Sequence, residues 1–280
     1  WFDRVESQVM LESADKSFKG QIMGRVKWAV GRYNERRLLR GADLALLHGR
    51  TVYERLAPLS QNPHLVEDIH LTESDRIRSD RLARKIAEAG NGPLKIVYAG
   101  RATAMKGVLD WVDVVAVLAE RGVDVHADWL GDGDQLDAMK ARARDRGVAD
   151  RIVFHGFVAE RDRVLEALRE AYLLLFCHLT DESPRILIEA LHAGTPLVGY
   201  DDPFARSLVD ENGAGQLFTR GDIAALSQAL AELAQDRSKL QDLISRAAAS
   251  AFHLTREQVF RHRSEIIKAE LPPNPFQSSA

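Results

Sequence analysis

Short apolar runs of strand type alternate with segments of helical periodicity between about residue 94 and residue 250. The strand-type runs are LKIVYAG, VDVHADWL, RIVFHGFV, YLLLFCHL, TPLVGYD and the shorter AGQLFTRGD. Parallel strands need a crossover segment between them, usually a helix, so this alternation predicts an α/β domain with a parallel sheet between helices. Five or six β-α repeats in about 160 residues predict a doubly wound, Rossmann-like sheet.

The first 75 residues follow a different pattern. They predict a long basic helix in MGRVKWAVGRYNERRLLRG, a short strand at residues 43–47, a helix in RTVYERLAPL and a short strand in PHLVEDIHL. These elements predict a partial N-terminal α/β region. Because the composition turns polar near TESDRIRSD, we expect three parts: residues 1–75, residues 76–255, and a C-terminal helix and tail at residues 256–280. Since the sequence begins with Trp1 rather than Met, we expect the natural protein to be longer.

The composition is that of an ordinary globular protein, with 45% hydrophobic residues, 28% charged residues and a formal net charge of -3. A charge this small does not favour nucleic acid as a partner. The single cysteine, Cys177, lies in an apolar run, which predicts a small buried hydrophobe in a reducing compartment. No apolar stretch reaches the roughly 20 residues that span a bilayer, so we expect a cytoplasmic protein. The basic segment 19–40 fits a solvated helix face, or else a peripheral contact with the inner membrane.

Open parallel sheets bind ligands at the carboxyl ends of their strands, so the loops there are the candidate sites. After the first strand, GRATAMKG places Arg101 and Lys106 at the start of a predicted helix. Two cations beside a helix N-terminus suit a diphosphate, although a basic loop is also a common solvated surface. After the second strand, LGDGDQL offers Gly131 and Gly133, which let the backbone approach a ligand closely. Its aspartates fit helix caps with or without a ligand.

The next two loops carry further polar groups. In FHGFV, Gly156 leaves room for a planar group, and His155 is either a ligand contact or a satisfied polar residue. In TDESPRILIEALHAG, Asp181 and Glu182 lie at the start of a predicted helix, where a carboxylate favours the positive end of the dipole. Capping does not explain Glu189, which lies seven residues after Glu182 and roughly on the same face of an apolar helix. A carboxylate there needs polar partners, and sugar hydroxyls are suitable ones.

Taken together, GRATAMKG, LGDGDQL, RIVFHGFV and ESPRILIEALHAGTPLVGYD resemble the donor-binding half of a retaining glycosyltransferase of family 4, with the GT-B fold. The resemblance covers roughly residues 65–250. It implies a nucleotide-sugar domain preceded by the end of an acceptor-side α/β domain. In that family the Arg and Lys of the first loop hold the diphosphate of a nucleotide sugar, which implies this role for Arg101 and Lys106.

The same resemblance implies roles for the other loops. The loop corresponding to FHGFV holds the base, partly through the backbone near Val158, and Glu189 binds the ribose hydroxyls. The family's other acid, eight positions earlier, contacts the transferred sugar; here Asp181 occupies that position and Glu182 lies seven before Glu189, so either is a candidate. The expected catalytic residues are Arg101, Lys106 and Glu182, and the expected donor-binding residues are Gly100, Gly131, His155, Val158, Asp181, Ser183, Arg185, Ile186 and Glu189.

The implied reaction transfers a hexose from a UDP- or GDP-linked donor to a hydroxyl of a glycan, a lipid or a small molecule, with retention of configuration. No cofactor and no metal is expected, in keeping with the absence of HExxH and CxxC from the sequence. One alternative is a non-catalytic nucleotide-sugar binding module or degenerate partner subunit. A dinucleotide-dependent oxidoreductase is disfavoured because no GxGxxG follows LKIVYAG. A purely structural domain would leave Arg101, Lys106 and Glu189 without a shared purpose.

Overall fold

The computed structural model describes residues 18–67, 69–181, 183–210, 213–250 and 255–271. The chain divides into two compact units, Trp1–Asp68 with Glu257–Ala280, and Ile69–Arg256. The sequence-based division set its boundaries after residues 75 and 255. In the structure, the final helix, Arg256–Glu270, therefore groups largely with the first unit rather than forming a third part.

The first unit contains α1 (Phe18–Gly41), β1 (Ala45–His48), α2 (Arg50–Leu56), a 3-10 turn (Ala57–Leu59), β2 (Pro63–Val66) and the final helix. The two strands pair in parallel, with Ala45 opposite Pro63 and His48 opposite Val66. Arg263 of the final helix contacts the His48 ring at 2.8 Å and donates to the Glu67 carbonyl, so that helix is fixed to the ends of both strands. Both predicted strands are present, and the second is shorter than the pattern PHLVEDIHL predicted.

The second unit is a helix-covered parallel sheet. Its elements are α3 (Ser79–Ala89), β3 (Leu94–Ala99), α4 (Val108–Glu120), β4 (Val125–Leu130), α5 (Leu136–Asp145), β5 (Ile152–Gly156), α6 (Arg161–Glu170), β6 (Leu173–Phe176), α7 (Arg185–His192), β7 (Leu197–Tyr200), α8 (Pro203–Asp210), β8 (Gly215–Phe218), α9 (Ile223–Gln235) and α10 (Arg237–Ser250). The strand order is β5-β4-β3-β6-β7-β8, and all pairs are parallel. This order confirms the predicted doubly wound sheet and places its switch point between β3 and β6.

Apolar residues of the two central strands form the middle of the core. All four residues of β6 are buried, as are Ile96 and Val97 of β3. Next to them lies an aromatic layer in which Tyr98 stacks on Trp129, with ring centroids 4.5 Å apart, and Trp129 meets Trp111 edge-on at 5.3 Å. These strands are buried on both faces, which explains why they read as continuous apolar runs rather than as an alternating pattern.

The sequence analysis did not predict helices α3 and α8. The α3 sequence SDRLARKIAEA has few large apolar residues, but its charged residues lie opposite its apolar ones, which is the pattern of an amphipathic helix. The α8 segment PFARSLVD is also amphipathic, and it buries Phe204, Ala205 and Val209. Both segments therefore carry a local helix signal, which the sequence analysis passed over because α3 lies in the polar stretch taken as the junction and α8 is only eight residues long.

A buried lysine of α3 connects three segments of the second unit. Lys85 is 4% exposed, and its ammonium donates to the carbonyls of Leu168 and Ala193 at 3.2 and 3.0 Å and to the Thr195 hydroxyl at 2.7 Å. Burial, followed by the nearby charge of Arg81, lowers the pKa of Lys85 well below its usual value. The lysine thereby holds the ends of α6 and α7, the helices whose starts face the carboxyl edge of the sheet.

Replacing Lys85 with Met should remove three hydrogen bonds and leave the buried Ala193 carbonyl with only a long contact from the Thr195 hydroxyl at 3.5 Å. We expect the free energy of unfolding to fall by about 2–4 kcal/mol in a urea titration. Lys239→Met, at an exposed lysine of α10, is the control and should change the free energy of unfolding by no more than about 0.5 kcal/mol. Equal stabilities of the two variants would contradict the role given to Lys85.

Candidate functional site

The loops that follow β3 and β6 meet at the switch point of the sheet. The Leu179 amide donates to the Met105 carbonyl at 2.8 Å. Gly107 has a positive φ of 59°, and a Cβ atom there would lie 1.9 Å from the Cys177 carbonyl oxygen. The two backbones therefore touch at a point where any side chain would separate them. This contact sets the distance between the loops in which the expected diphosphate and sugar contacts lie.

The loop after β3 also packs directly on the loop after β4. The Gly100 amide donates to the Leu130 carbonyl at 2.9 Å, and a Cβ atom on Gly131 would lie 2.0 Å from the Gly100 carbonyl oxygen. A Cβ atom on Gly133 would lie 2.3 Å from the Ala102 carbonyl oxygen. The structure thus brings Gly100 and Gly131 together in one closely packed layer of backbone, in which neighbouring atoms fill the positions that side chains would need.

The two cations of the first loop differ in their surroundings. Arg101 is exposed, and its guanidinium makes no hydrogen bond or ion pair with a residue that the structure describes. Lys106 is half-buried and ends the 3-10 turn Ala104–Lys106, immediately before the close contact at Gly107. Its ammonium is near enough to His178 to affect the pKa of that residue. Lys106 therefore lies toward the loop after β6, whereas Arg101 is accessible to solvent.

His178 follows β6 and was not identified from the sequence as a site residue. It is 0% exposed, and its Nε2 forms a 2.7 Å hydrogen bond with the Tyr98 hydroxyl. Its Nδ1 has no hydrogen-bond partner within the described ranges. Burial lowers the pKa of His178 well below its usual value, and the charges of Lys106 and Arg220 lower it further. A neutral imidazole therefore connects the loop after β6 to the end of β3 through this hydrogen bond.

Two carboxylates near the ends of β6 and β7 have different environments. Asp181 is exposed and forms an ion pair with Arg220, which follows β8. Asp202 is 2% exposed, and its Oδ1 accepts hydrogen bonds from the amides of Phe204 and Ala205 at 2.8 and 2.9 Å, at the start of α8. Burial raises the pKa of Asp202 to about 6, although the backbone hydrogen bonds and Arg220 act in the opposite direction.

Glu189 lies on the α7 face that turns toward the start of α6. Its carboxylate is half-buried and accepts no hydrogen bond from a residue in the described part of the chain. Burial raises its pKa, and the charges of Arg161 and Arg185 oppose that shift. Arg161 is the first residue of α6 and pairs with Asp75 at 3.2 Å, in the segment that leads into α3. A half-buried acid with free acceptor capacity is the kind of group that binds ligand hydroxyls.

The remaining predicted donor-binding residues lie in the loop after β5 and at the start of α7. Val158 is half-buried two residues after β5, and Ser183 and Arg185 are exposed at the start of α7. Ile186 is buried, which leaves only its backbone for a ligand. The third predicted catalytic residue, Glu182, lies outside the described residues.

His155 forms a 2.6 Å hydrogen bond through its Nε2 to Asp128 on the neighbouring strand, with His126 lying 3.7 Å from the same carboxylate. This geometry favours the reading of His155 as a satisfied polar residue. No set of three or more His, Cys, Asp or Glu side chains in the described ranges is arranged to hold a metal ion.

The sequence missed four polar residues at this edge of the sheet: Arg161, His178, Asp202 and Arg220. Arg161 begins a helix, and each of the other three lies two residues after the end of a strand. The predicted strands and helices already mark these positions in the sequence. What it lacks is any sign that His178 and Asp202 are buried, or that Arg220 reaches a carboxylate 39 positions away.

The strand order and the glycine-mediated backbone contacts between neighbouring loops define a doubly wound, Rossmann-like unit. Residues 79–250 match the family model described as glycosyl transferases group 1. Because this match covers more than half of the chain, the protein belongs to that family. Within the described residues, no helix has both the length and the apolar character needed to cross a bilayer.

Two curated relatives are 2-deoxystreptamine glycosyltransferases. The N-acetyl-D-glucosaminyltransferase of Streptomyces fradiae is 27% identical over 237 residues, 81% of this chain and 54% of its own. The glucosyltransferase of Streptomyces kanamyceticus is 27% identical over 205 residues, 71% of this chain and 53% of its own. This chain therefore spans about half the length of the curated relatives that it matches.

A solved structure with a similar fold is that of HepE from Anabaena in complex with UDP and glucose. It superposes with a TM-score of 0.73 at 17% identity, over 85% of this chain and 66% of its own. At this identity the likeness concerns the fold, and it agrees with the GT-B assignment.

Replacing Gly107 with Ala should force the loops after β3 and β6 apart. We expect a loss of about 3 kcal/mol in the free energy of unfolding, measured by urea titration, because a backbone clash adds to the cost of a left-handed residue. Gly122→Ala is the matched control, since Gly122 also has a positive φ, of 77°, but has no atom near its Cβ position. It should cost only about 1 kcal/mol. Equal losses would show that the close contact at Cys177 is unimportant.

Asp202 should make stability depend on pH in an unusual direction. Its pKa is raised from 3.8 to about 6 in the folded protein, so its contribution is complete below pH 3.8 and is lost as the pH rises through about 6. Asp202→Asn keeps a capping oxygen without this loss. We expect the variant to gain stability relative to the parent protein between about pH 4 and pH 7, by on the order of 3 kcal/mol.

The measurement is a series of urea titrations across that pH range. Asp201→Asn is the control, because it removes the neighbouring carboxylate, which pairs with Arg206 at the surface. A stability difference between Asp202→Asn and the parent protein that stays constant with pH would be inconsistent with a buried, weakly acidic Asp202.

Proposed function

We propose that this chain carries the donor half of a retaining, family 4-type glycosyltransferase, which transfers a hexose from a nucleoside diphosphate sugar to an acceptor hydroxyl. The observation that carries the proposal is the close contact of two loops at the switch point, one with Arg101 and Lys106 and the other leading to the start of α7. Cations and helix-start amides together suit a diphosphate. Glu189 adds an acceptor for hydroxyl groups nearby on the same helix.

In this proposal the two cations act on the leaving group. The bond between the anomeric carbon and the diphosphate oxygen breaks, and its electron pair leaves with the diphosphate. Arg101 and Lys106 stabilise that growing negative charge, which lowers the barrier because the charges are in place before the reaction. The acceptor oxygen bonds to the anomeric carbon on the same face, and its proton passes to the leaving phosphate. This route requires no metal ion and no separate general base from the protein.

The nucleoside would lie between the β5–α6 loop and α7. The base would meet the backbone near Val158, and the ribose hydroxyls would donate to Glu189, which has unused acceptor capacity. Arg161 and Arg185 favour the ionised form of that carboxylate, which is the form that accepts two hydroxyls. We propose a UDP- or GDP-linked donor. The structure of HepE in complex with UDP and glucose is consistent with the UDP alternative.

The proposed acceptor is a hydroxyl on a glycan, a lipid or a small molecule. The names of the two Streptomyces relatives support a small aminocyclitol as one member of this class.

We propose a cytoplasmic location with peripheral membrane contact through α1, which exposes Trp28 and Tyr33 beside Arg32. The second candidate function is donor binding without turnover, which is favoured by the altered spacing of the acidic residues, with Asp181 rather than a glutamate eight positions before Glu189.

Calorimetric titration with UDP, GDP, ADP and NAD tests the donor site. We expect one nucleoside diphosphate to bind selectively, and we expect Arg101→Ala and Glu189→Gln each to weaken it about tenfold, or about 1.4 kcal/mol. Arg144→Ala removes an exposed cation of α5 and serves as the control, with unchanged affinity. Binding of NAD alone, or a failure to bind any of the nucleoside diphosphates, would contradict the proposal. Donor binding without hydrolysis or transfer of the sugar would favour the second candidate.

A further inference from the structure

An ion pair connects the loop between β6 and α7 to the loop that follows β8. Asp181 lies in that loop, and its carboxylate pairs with the guanidinium of Arg220, two residues after β8. Strand β7 lies between β6 and β8 in the sheet. The pair therefore spans the width of a strand at the carboxyl edge. At its other end the same loop is held by the hydrogen bond from the Leu179 amide to the Met105 carbonyl.

Arg220 also lies near two buried polar groups. Its charge lowers the pKa of His178, which follows β6, and opposes the raised pKa of Asp202, which follows β7. Lys106, after β3, acts on the same histidine. Charged groups from the loops after β3, β6, β7 and β8 therefore lie near one another. Arg220 is the residue of the β8 loop that forms an ion pair with the loop leading to α7.

This pairing changes the expected role of Asp181. The resemblance to family 4 offered Asp181 as a candidate contact to the transferred sugar, yet its carboxylate is directed at Arg220. Both side chains are partly exposed, at 50% for Asp181 and 34% for Arg220, so the pair should add no more than about 1 kcal/mol to stability. Its main effect is on position, because it holds the loop at Asp181, four residues before α7 begins.

We propose that Arg220 is a positioning residue of the nucleotide site, and that Asp181 acts through Arg220 rather than by contact with the donor sugar. The pair holds the segment between β6 and α7 so that the start of α7 faces the diphosphate. This inference rests on the proposed function, since it assigns a task within the same donor site. Arg220 was not among the residues that the sequence suggested.

The two roles for Asp181 differ in how they depend on the sugar. A sugar contact is absent when UDP binds without a sugar, so its loss should weaken UDP-glucose and leave UDP unchanged. A positioning pair shapes the site for the diphosphate itself, so its loss should weaken UDP and UDP-glucose by the same factor. Exchange of the two charges should restore a positioning pair, but it would place a cation where a sugar hydroxyl needs an acceptor.

The experiment is calorimetric titration of the full chain with UDP and with UDP-glucose. We expect Asp181→Ala and Arg220→Ala each to raise both dissociation constants about fivefold to tenfold. Arg220→Lys, which keeps the charge without the fork geometry, should fall between them and the parent protein. The double variant Asp181→Arg with Arg220→Asp should return to within about threefold of the parent protein. Arg206→Ala breaks the surface pair with Asp201 at the same edge and is the control, with unchanged affinity.

Three results would overturn this inference alone, in a parent chain that binds UDP: unchanged UDP affinity in Arg220→Ala, weakening of UDP-glucose only in Asp181→Ala, or no recovery in the double exchange. Urea unfolding midpoints show whether each variant is folded. We expect all of them to fold, because the ion pair is partly exposed. If the parent chain selects GDP, then GDP and GDP-mannose take the place of the uridine ligands. A parent chain that binds no nucleoside diphosphate would overturn the proposed function and this inference together.

Discussion

Backbone contact between the turn after β3 and the end of β6 determines where the candidate ligand groups lie. Two parallel strands whose following helices lie on opposite faces leave a crevice between their ends, and here the floor of that crevice is closed by Gly107 against Cys177. The glycine layer formed by Gly100 and Gly131 continues this floor toward β4. Because backbone rather than side chains forms the floor, amide groups and helix starts are the nearest polar groups to anything that enters.

The charges around this floor are arranged in two groups with different surroundings. Near the switch point, Lys106 and Arg220 flank a neutral buried histidine, and Arg220 is balanced by Asp181. Near the start of α6, Arg161 and Asp75 pair beside the half-buried Glu189. The first group is suited to phosphate charge and the second to hydroxyl groups. A nucleotide carries both phosphate charge and hydroxyl groups, so the arrangement is consistent with the family of the chain.

Much of the fold could be predicted because buried parallel strands leave a strong sequence signal. The runs LKIVYAG and YLLLFCHL are apolar on both faces, and all six predicted strands of the second unit are present. The helices α3 and α8 are amphipathic but short, and the polar residues around α3 hide its apolar positions, so their signal is weaker than that of a buried strand. For the site, loop position drew attention to Arg101 and Lys106, and the occurrence of a carboxylate within an apolar helix drew attention to Glu189. The pairing of Asp181 with Arg220 links residues 39 positions apart, and no local pattern encodes it.

The buried ammonium of Lys85 also has a consequence for dissecting the protein. A fragment that began at the first strand of the second unit, at Leu94, would contain the whole six-stranded sheet. Such a fragment would lack α3, so the Ala193 carbonyl would lose its donor at 3.0 Å and the Leu168 carbonyl would keep only the Thr195 hydroxyl. The smallest piece that keeps the ends of α6 and α7 in place must therefore start before Ser79, as a cut at the predicted boundary after residue 75 does.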